Sequence, residues 1–594
     1  MSNPRHIAAL VLLLACMCAL RVALTLGETR AAPAASGDPT STGDVPSALA
    51  ADVDQPLTSA LRVHGFTGRV EQSLERRLGR PVDAKLAELG RLLWFDTITG
   101  LNDDNSCGGC HSPTNGFGDT QAIAIGIENN NLVGPNRTGP RNQRRSPLVI
   151  NTAFYPALMW NSRFASLSQD PFDHSAGFVF PPPEGLTLSY QPHLLVAQAF
   201  IPPTERNEVA GFEFVGDNFA IRAEVLNRLN AIPEYRRLFG RIFPEVRNGA
   251  PITFDHFGQA IAEFEFTLVF TNAPLDRFAR GETSAMSDAE KRGALVFFGA
   301  GGCVQCHTVS GSSNEMFSDF RMHVIGVPQI APKETNSVFD GADANEDFGL
   351  EQVTGNRDDR YMFRTAPLRN LAVSSGFMHN GCFLTLEEAV RHHLDVFASA
   401  RSYSPQNLDE DLQGPVGPIE PVLRRVDPLL SEPIPLSQGQ FQDLVQFLRT
   451  GLLDPRVRFE NLSSLIPKRV PSGRPTMIFE APPATAAGAG EVRAAEAFAR
   501  VEEVELSRPH PNPSSGDVSL ALSLPQAGPV RAEVVDLAGR VVRTLEPGSW
   551  RSAGTVMLRW DGADATGRPV RNGVYFVRAR VGQGLLRQSV VRVR

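Results

Sequence analysis

Cys107-Gly108-Gly109-Cys110-His111 decides how this chain is read, and Cys303-Val304-Gln305-Cys306-His307 repeats it. In Cys-x-x-Cys-His, two thiols can add across the vinyl groups of a haem, and the adjoining imidazole can bind the iron. The two copies use four of the seven cysteines. A zinc knuckle or a pair of disulfides would use the same residue types. Zinc needs four donors close together, however, and about 200 residues separate these pairs. The expectation is two covalently bound haem c groups. Cys107, Cys110, Cys303 and Cys306 would form the thioethers, and His111 and His307 would ligate iron.

Outward from the motifs, each is preceded by a helical pattern. Leu86, Leu89 and Leu93 recur at helical spacing over 83–94. Ser287-Asp288-Ala289-Glu290 is a capping box opening a helix to Phe298. Further helices are predicted over 194–200, over 219–239, over 254–271 with Ile261, Phe264 and Leu268 on one face, and over 440–448. Thr385-Leu386-Glu387-Glu388 caps another, which carries His392 and His393. Long loops join them, including a Pro-, Phe- and Gly-rich insertion over 169–192. Beyond 466 the composition turns Pro- and Ala-rich. Short β-rich runs follow at 518–524, 530–535, 541–545, 555–560 and 574–581, with Gly, Pro and Asp between them. The expected fold class is mainly α, with two cytochrome c-like haem domains, followed by a small all-β immunoglobulin-like sandwich.

The 594 residues exceed one core, so three to four domains are expected. Hydrophobic content of 42% and charge of 21% fit an ordinary globular protein. A net charge of -8, with no basic patch, argues against a nucleic-acid partner. Arg5, the apolar run Ile7 to Leu20 and the small residues Ala31 to Ala35 read as an export signal, and the run is short for a membrane span. Leu13-Leu14-Ala15-Cys16 faintly resembles a lipoprotein box, but apolar residues follow Cys16 where a tether would be polar. Export to the periplasm, the cell surface or the medium agrees with the haems, which are attached outside the cytoplasm. Cys382 reads as a buried small hydrophobe.

The span from Leu86 to Leu453 resembles the bacterial di-haem cytochrome c peroxidase family, including its MauG branch. The residues carrying the resemblance are Leu89 to Asp96, Ser146 to Phe154, Met159 to Arg163, Gly293 to Phe298, Ala366 to Asn370 and Phe377 to Gly381. It implies an N-terminal haem that reacts with hydrogen peroxide and a C-terminal haem that receives electrons. The domains would be a signal peptide (1–35), a linker (36–63), a peroxidatic haem domain (64–282), an electron-transfer haem domain (283–465), a second linker (466–505) and the sandwich (506–594). Gln198, Pro202 and Glu208 keep the family's spacing of four and six. Glu208 would be the distal acid–base group, Gln198 and Pro202 would shape its pocket, and Trp160 matches the tryptophan between the haems. A solvated carboxylate and plain core packing are the bland readings of Glu208 and Trp160.

The family's second axial ligand to the C-terminal haem lies fourteen residues after the position of His379. Here that residue is His393, with His392 and Met378 as alternatives; a His should give a lower potential than a Met. No His occurs between His111 and His174, so the first haem is expected to be open without prior reduction. The family also implies calcium between the halves. The carbonyls of Ser374 and Gly376 match two ligands, whereas Arg145 stands where the side-chain ligand is usually Asn. The tail from about Arg508 resembles the FlgD-like immunoglobulin module and sorting domains of secreted proteins, through Pro511-Asn512-Pro513, Asp536 to Arg540, Trp560-Asp561-Gly562 and Asn572 to Phe576. It implies surface or outer-membrane attachment. The expected function is an exported peroxidase supplied by a small redox protein or another donor. The rivals are a MauG-like enzyme oxidising side chains of a partner protein, and a di-haem electron carrier with both irons six-coordinate.

Overall fold

The computed structural model describes residues 53–180, 186–481 and 504–593, except 510, 525–527, 552–553 and 582–583. The export signal with Cys16 and Cys18, and most of both linkers, lie outside the described residues. Each haem motif follows a helix that packs against a second helix through a glycine. Helix α2 (Ala84–Trp94) is capped by Asp83, whose carboxylate accepts from the amides of Lys85 and Leu86. It buries Leu86, Leu89 and Leu93 and crosses α6 (Phe254–Phe266). A side chain at Gly90 would come within 1.8 Å of the Ala260 carbonyl, so only glycine permits this approach. Helix α7 (Asp288–Phe298) opens with the expected Ser287/Glu290 capping box and meets α9 (Gln438–Gln446) in the same way. There Gly293 faces the Asp443 carbonyl, 1.9 Å from where a Cβ would stand. Between these pairs come α3 (Leu194–Gln198), α4 (Asn218–Ala231) and α5 (Pro233–Ile242), and later α8 (Leu386–Leu394) with its Thr385/Glu388 capping box. The single helix expected over 219–239 is two, because Pro233 lacks an amide hydrogen and starts a new helix. Among the described residues no helix is long and apolar enough to cross a membrane.

Two apolar cores underlie the two halves, and their membership corrects the boundaries read from composition. The core beneath the first motif gathers Leu93, Trp94, Phe117 and Phe264, but also Leu453, Leu462 and Val470 from far downstream. Within the expected 466–505 linker, Met477 is buried, and Ile478–Phe479 (β2) pairs in parallel with Leu132–Val133 (β1). The core beneath the second motif takes Leu57, Leu61, Phe66, Leu275 and Phe278. Asp54–His64 (α1) is therefore a packed helix rather than part of a 36–63 linker, fastened by the Asp54–Lys291 ion pair at 2.7 Å. In both cases polar and Pro-rich neighbours mask a few apolar anchors.

The tail forms two antiparallel sheets over one apolar core. Strands β3 to β9 are Glu505–Leu506, Val518–Leu524, Gly528–Val535, Val541–Arg551, Gly554–Trp560, Gly573–Val581 and Gly584–Arg592. One sheet has the order β6-β5-β8-β9, the other β7-β4-β3. Inward residues Val518, Leu520, Leu522, Val530, Val534, Leu558, Trp560 and Val577 fill the core by strict alternation. All five predicted runs are strands; β3 and β9 were not read from the sequence.

Candidate active site

The first motif is one helical turn, Cys107–Cys110, that delivers His111. The ring Nδ1 of His111 lies 3.0 Å from the Pro147 carbonyl. A carbonyl can only accept, so Nδ1 carries the proton and Nε2 keeps its lone pair for a metal. Burial lowers the pKa of this ring, which favours the neutral, ligating form. The spacer admits no side chain. A Cβ on Gly108 would stand 2.7 Å from the Phe95 ring, and one on Gly109 would stand 2.0 Å from Asn105 Oδ1 and 3.0 Å from Met477 Sδ. The thiols of Cys107 and Cys110 open onto a cavity of about 710 Å³, the size range of cofactor sites. None of the described cysteines forms a disulfide. Among the described residues the one group of three donors close enough to share an ion is Cys306, Asp319 and His323. The two cysteine pairs thus form neither disulfides nor a joint zinc site.

Gln198, Pro202, Glu208 and Trp160 line the same cavity as Cys107, Cys110 and His111. Gln198 ends α3, Pro202 begins a tight turn, and Glu208 sits on a wide turn over Arg206–Ala210. In that turn the amides of Val209 and Ala210 both donate to the Glu205 carbonyl at 2.9 Å. The Asn105 amide donates to the Glu208 carbonyl at 2.8 Å, tying this turn to the first haem motif. The surrounding protein pushes the Glu208 carboxyl up to about 8; the Glu205 charge adds to the rise and Arg163 opposes it. Arg163 is held in place by its 2.6 Å pair with Glu205. A carboxyl raised to about 8 keeps both its ionised and its protonated form accessible near neutrality, so it can take and return a proton.

A second carboxyl on this cavity was not singled out in the sequence. Glu265 on α6 is 5% exposed, its Oε2 has no hydrogen-bond partner, and burial pushes it up to about 8. Its charge also helps burial raise the Cys107 thiol. Glu263, two residues earlier, is instead paired with Arg80 at 2.5 Å. The available signal was the Phe264-Glu265-Phe266 run, a charge set between two aromatic side chains.

Trp160 is held from both halves. Its indole N–H donates to the Arg145 carbonyl at 2.7 Å, and its own carbonyl accepts from the Arg364 amide at 2.7 Å. Arg364 is buried, and its Nε donates to the Met159 carbonyl at 3.0 Å. The Arg145 side chain lies where the resemblance put calcium. Its Nη2 donates to the hydroxyls of Ser374 and Ser375 at 3.2 and 3.1 Å. A fixed guanidinium there repels a divalent cation, so the calcium expectation loses its place in this chain.

At the second motif, His307 Nδ1 donates to the Phe317 carbonyl at 2.9 Å, leaving Nε2 for a metal. His393 does the same through the Ala389 carbonyl at 2.8 Å. The two rings are neighbours, with centres 6.4 Å apart and planes tilted by 58°. Two imidazoles sharing one metal, at about 2 Å per bond, have centres about 6 Å apart. His392 points elsewhere on α8. Its Nε2 donates to the Ile325 carbonyl at 2.7 Å, and its Nδ1 lies 3.1 Å from the Ser399 hydroxyl. Met378 packs with Cys382 and Phe383, and Cys382 is buried as expected. The donors and their spacing at both motifs, and the cavity at the first, therefore fit a thioether-bound haem at each.

Residues 84–284 match the family model for di-haem cytochrome c peroxidase, and residues 512–584 match the FlgD Ig-like domain. Over 84–284 the chain is thus similar to the di-haem cytochrome c peroxidases. The chain is 28% identical over 405 residues to the methylamine utilization protein MauG of Methylorubrum extorquens, covering 68% of this chain and 88% of that protein. It is 28% identical over 340 residues to cytochrome c551 peroxidase of Pseudomonas aeruginosa, covering 56% and 80% respectively. The diheme peroxidase BthA of Burkholderia thailandensis aligns with 64% of this chain and 88% of its own, at 21% identity and a TM-score of 0.43. In this chain, one set of residues (Gln198, Pro202, Glu208 and Trp160) gathers around Cys107, Cys110 and His111. A second set comprises Cys303, Cys306, His307 and His393.

Proposed function

We propose that this chain is an exported di-haem c-type peroxidase, reducing hydrogen peroxide to water with electrons that an external donor passes through the second haem. The observation that carries this reading is Glu208, a carboxyl poised near neutrality on the cavity that also holds both thiols and the free Nε2 of His111. Haem bound there supplies an iron that can bind peroxide and exchange electrons. Cys107, Cys110 and His111 would hold the haem, with Glu208 on the same cavity. Glu208 takes the proton from the nearer peroxide oxygen and returns it to the farther one, which then leaves as water. Gln198 and Pro202 shape the space beside it. His307 and His393 would both ligate a haem at the second motif, which would suit it to electron transfer rather than to binding peroxide. Trp160, fixed between the halves, offers the route from one site to the other. Each turnover consumes two protons and two electrons and yields two waters; a small redox protein is one fitting donor. The N-terminal pattern supports export, and the FlgD-like tail supports attachment at the cell surface or outer membrane.

The test is low-temperature EPR and visible spectroscopy of the ferric holoenzyme, before and after one equivalent of peroxide. One high-spin and one low-spin signal are expected, with the high-spin one consumed by peroxide and the step slowed in Glu208→Gln. Two low-spin signals untouched by peroxide, also after half-reduction, would make the chain an electron carrier.

A second reading, oxidation of a partner protein's side chains, has two specific observations in its favour. No His lies between His111 and His174 to close the first site, and His393 stands where a Met would raise the potential. It predicts that stored oxidising equivalents persist for seconds when no small donor is added.

A further inference from the structure

We infer that Arg145 is a built-in cation that joins the two haem-bearing halves and, through its own backbone, positions Trp160. The role of Trp160 rests on the function proposed above; the cage around Arg145 does not. Arg145 is 4% exposed, and its guanidinium is enclosed by oxygens from both halves. From the first half, the Gln121 carbonyl accepts from Nη1 at 2.5 Å and the Asp119 carbonyl accepts from Nη2 at 3.1 Å. From the second half come the hydroxyls of Ser374 and Ser375. These oxygens are themselves ordered: Ser374 donates to the Gly376 carbonyl and Ser375 to the Asp119 carbonyl, both at 2.8 Å. The Asp119 carboxylate supplies the nearby negative charge, and its oxygens accept the amides of Gln121 and Ser146 at 2.9 Å.

The main chain of the same residue completes the tie. The Arg145 amide donates to the His379 carbonyl in the second half at 2.8 Å, while its carbonyl receives the Trp160 indole. One residue thus fixes the seam between the halves and the orientation of the aromatic ring lying in it. A planar guanidinium with five donors can bridge several oxygens at once, which a lysine ammonium on its flexible stem does less well. The same cage, emptied of the guanidinium, would present carbonyl, hydroxyl and carboxylate oxygens, the ligand set of a hard divalent cation.

The experiment uses the full-length holoenzyme and its Arg145→Asn variant, with calcium chloride as the probe. Calorimetry should show calcium uptake by the variant and none by the wild type, whose melting temperature should ignore EDTA. The rate at which the second haem is oxidised after peroxide should fall at least about tenfold in the variant. Calcium should restore most of that rate, and magnesium should not. Uptake of calcium by the wild type in competition with EDTA, or a wild-type interhaem rate in calcium-free Arg145→Asn, would overturn the inference. Should that variant not fold, Arg145→Lys decides. It should still exclude calcium while losing part of the interhaem rate, and an unchanged rate overturns the positioning role. Trp160→Phe separates the two layers. An unchanged rate there removes the Trp160 reading and with it the positioning role, whereas calcium uptake by Arg145→Asn reports on the cage alone.

Discussion

Acidification should slow the reaction of the ferric holoenzyme with peroxide in step with protonation of Glu208. Only the ionised carboxylate can take the first proton, and the group is pushed up to about 8. Its ionised fraction is then about one half at pH 8, about one tenth at pH 7 and about one hundredth at pH 6. The second-order rate constant should therefore drop nearly tenfold per pH unit below the break and level off above it. Stopped-flow mixing with excess peroxide at constant ionic strength reads this directly. Glu208→Gln should be slower by about 10²–10⁴-fold at the plateau and flat with pH, because the amide cannot cycle a proton. Arg163 opposes the rise, so Arg163→Met should move the break upward. A wild-type break near the ordinary carboxylate value, or a Glu208→Gln variant that keeps the wild-type slope, would refute the role given to Glu208.

Glu265 makes a separate claim on stability. Its folded pKa of about 8 stands above the unfolded 4.5, so its stabilising effect is complete below 4.5 and is lost as pH rises through 8. At about 1.4 kcal/mol per pH unit the loss is about 5 kcal/mol. Thermal melts of Glu265→Gln between pH 5 and 8 should be flatter than wild type, and parallel profiles would refute this. Redox titration of His393→Met should show the second haem moved to higher potential, within the roughly 0.8 V span that axial ligands command. His392→Ala should leave that potential in place, and the reverse pattern would exchange the two histidines. Met477→Ala should cost the haem-bearing part about 2–5 kcal/mol by calorimetry, whereas a linker residue there would cost nothing measurable.

What the sequence disclosed was local. Leu86, Leu89 and Leu93 marked the helix ahead of the first motif, and the Ser287/Glu290 and Thr385/Glu388 boxes marked helix starts, because caps and periodicity act within a few residues. The 100° between successive helix positions foretold that only one of His392 and His393 could face His307. The remainder depends on contacts between distant segments. Met477 is buried beside Ser106 in a Pro-rich stretch whose composition imitates a linker. The oxygens around the Arg145 guanidinium come from two distant segments, 119–121 and 374–375, so nothing near Arg145 announces a cage. Glu265 shares its helix with Glu263, and only the fold separates the paired acid from the unpaired one.

The two haem motifs share a formula but are not interchangeable parts. At the first, Phe95, Asn105 and Met477 press on the spacer and leave room for hydrogen alone. At the second, Val304 is half-buried and Gln305 is exposed. Val-Gln grafted onto the first motif would meet Phe95, Asn105 and Met477, whereas Gly-Gly on the second would meet no such obstacle and would give up the packing of Val304 and some backbone order. The two loops thus differ in how much bulk they can take: the first is hemmed in by side chains and the second opens to solvent at Gln305.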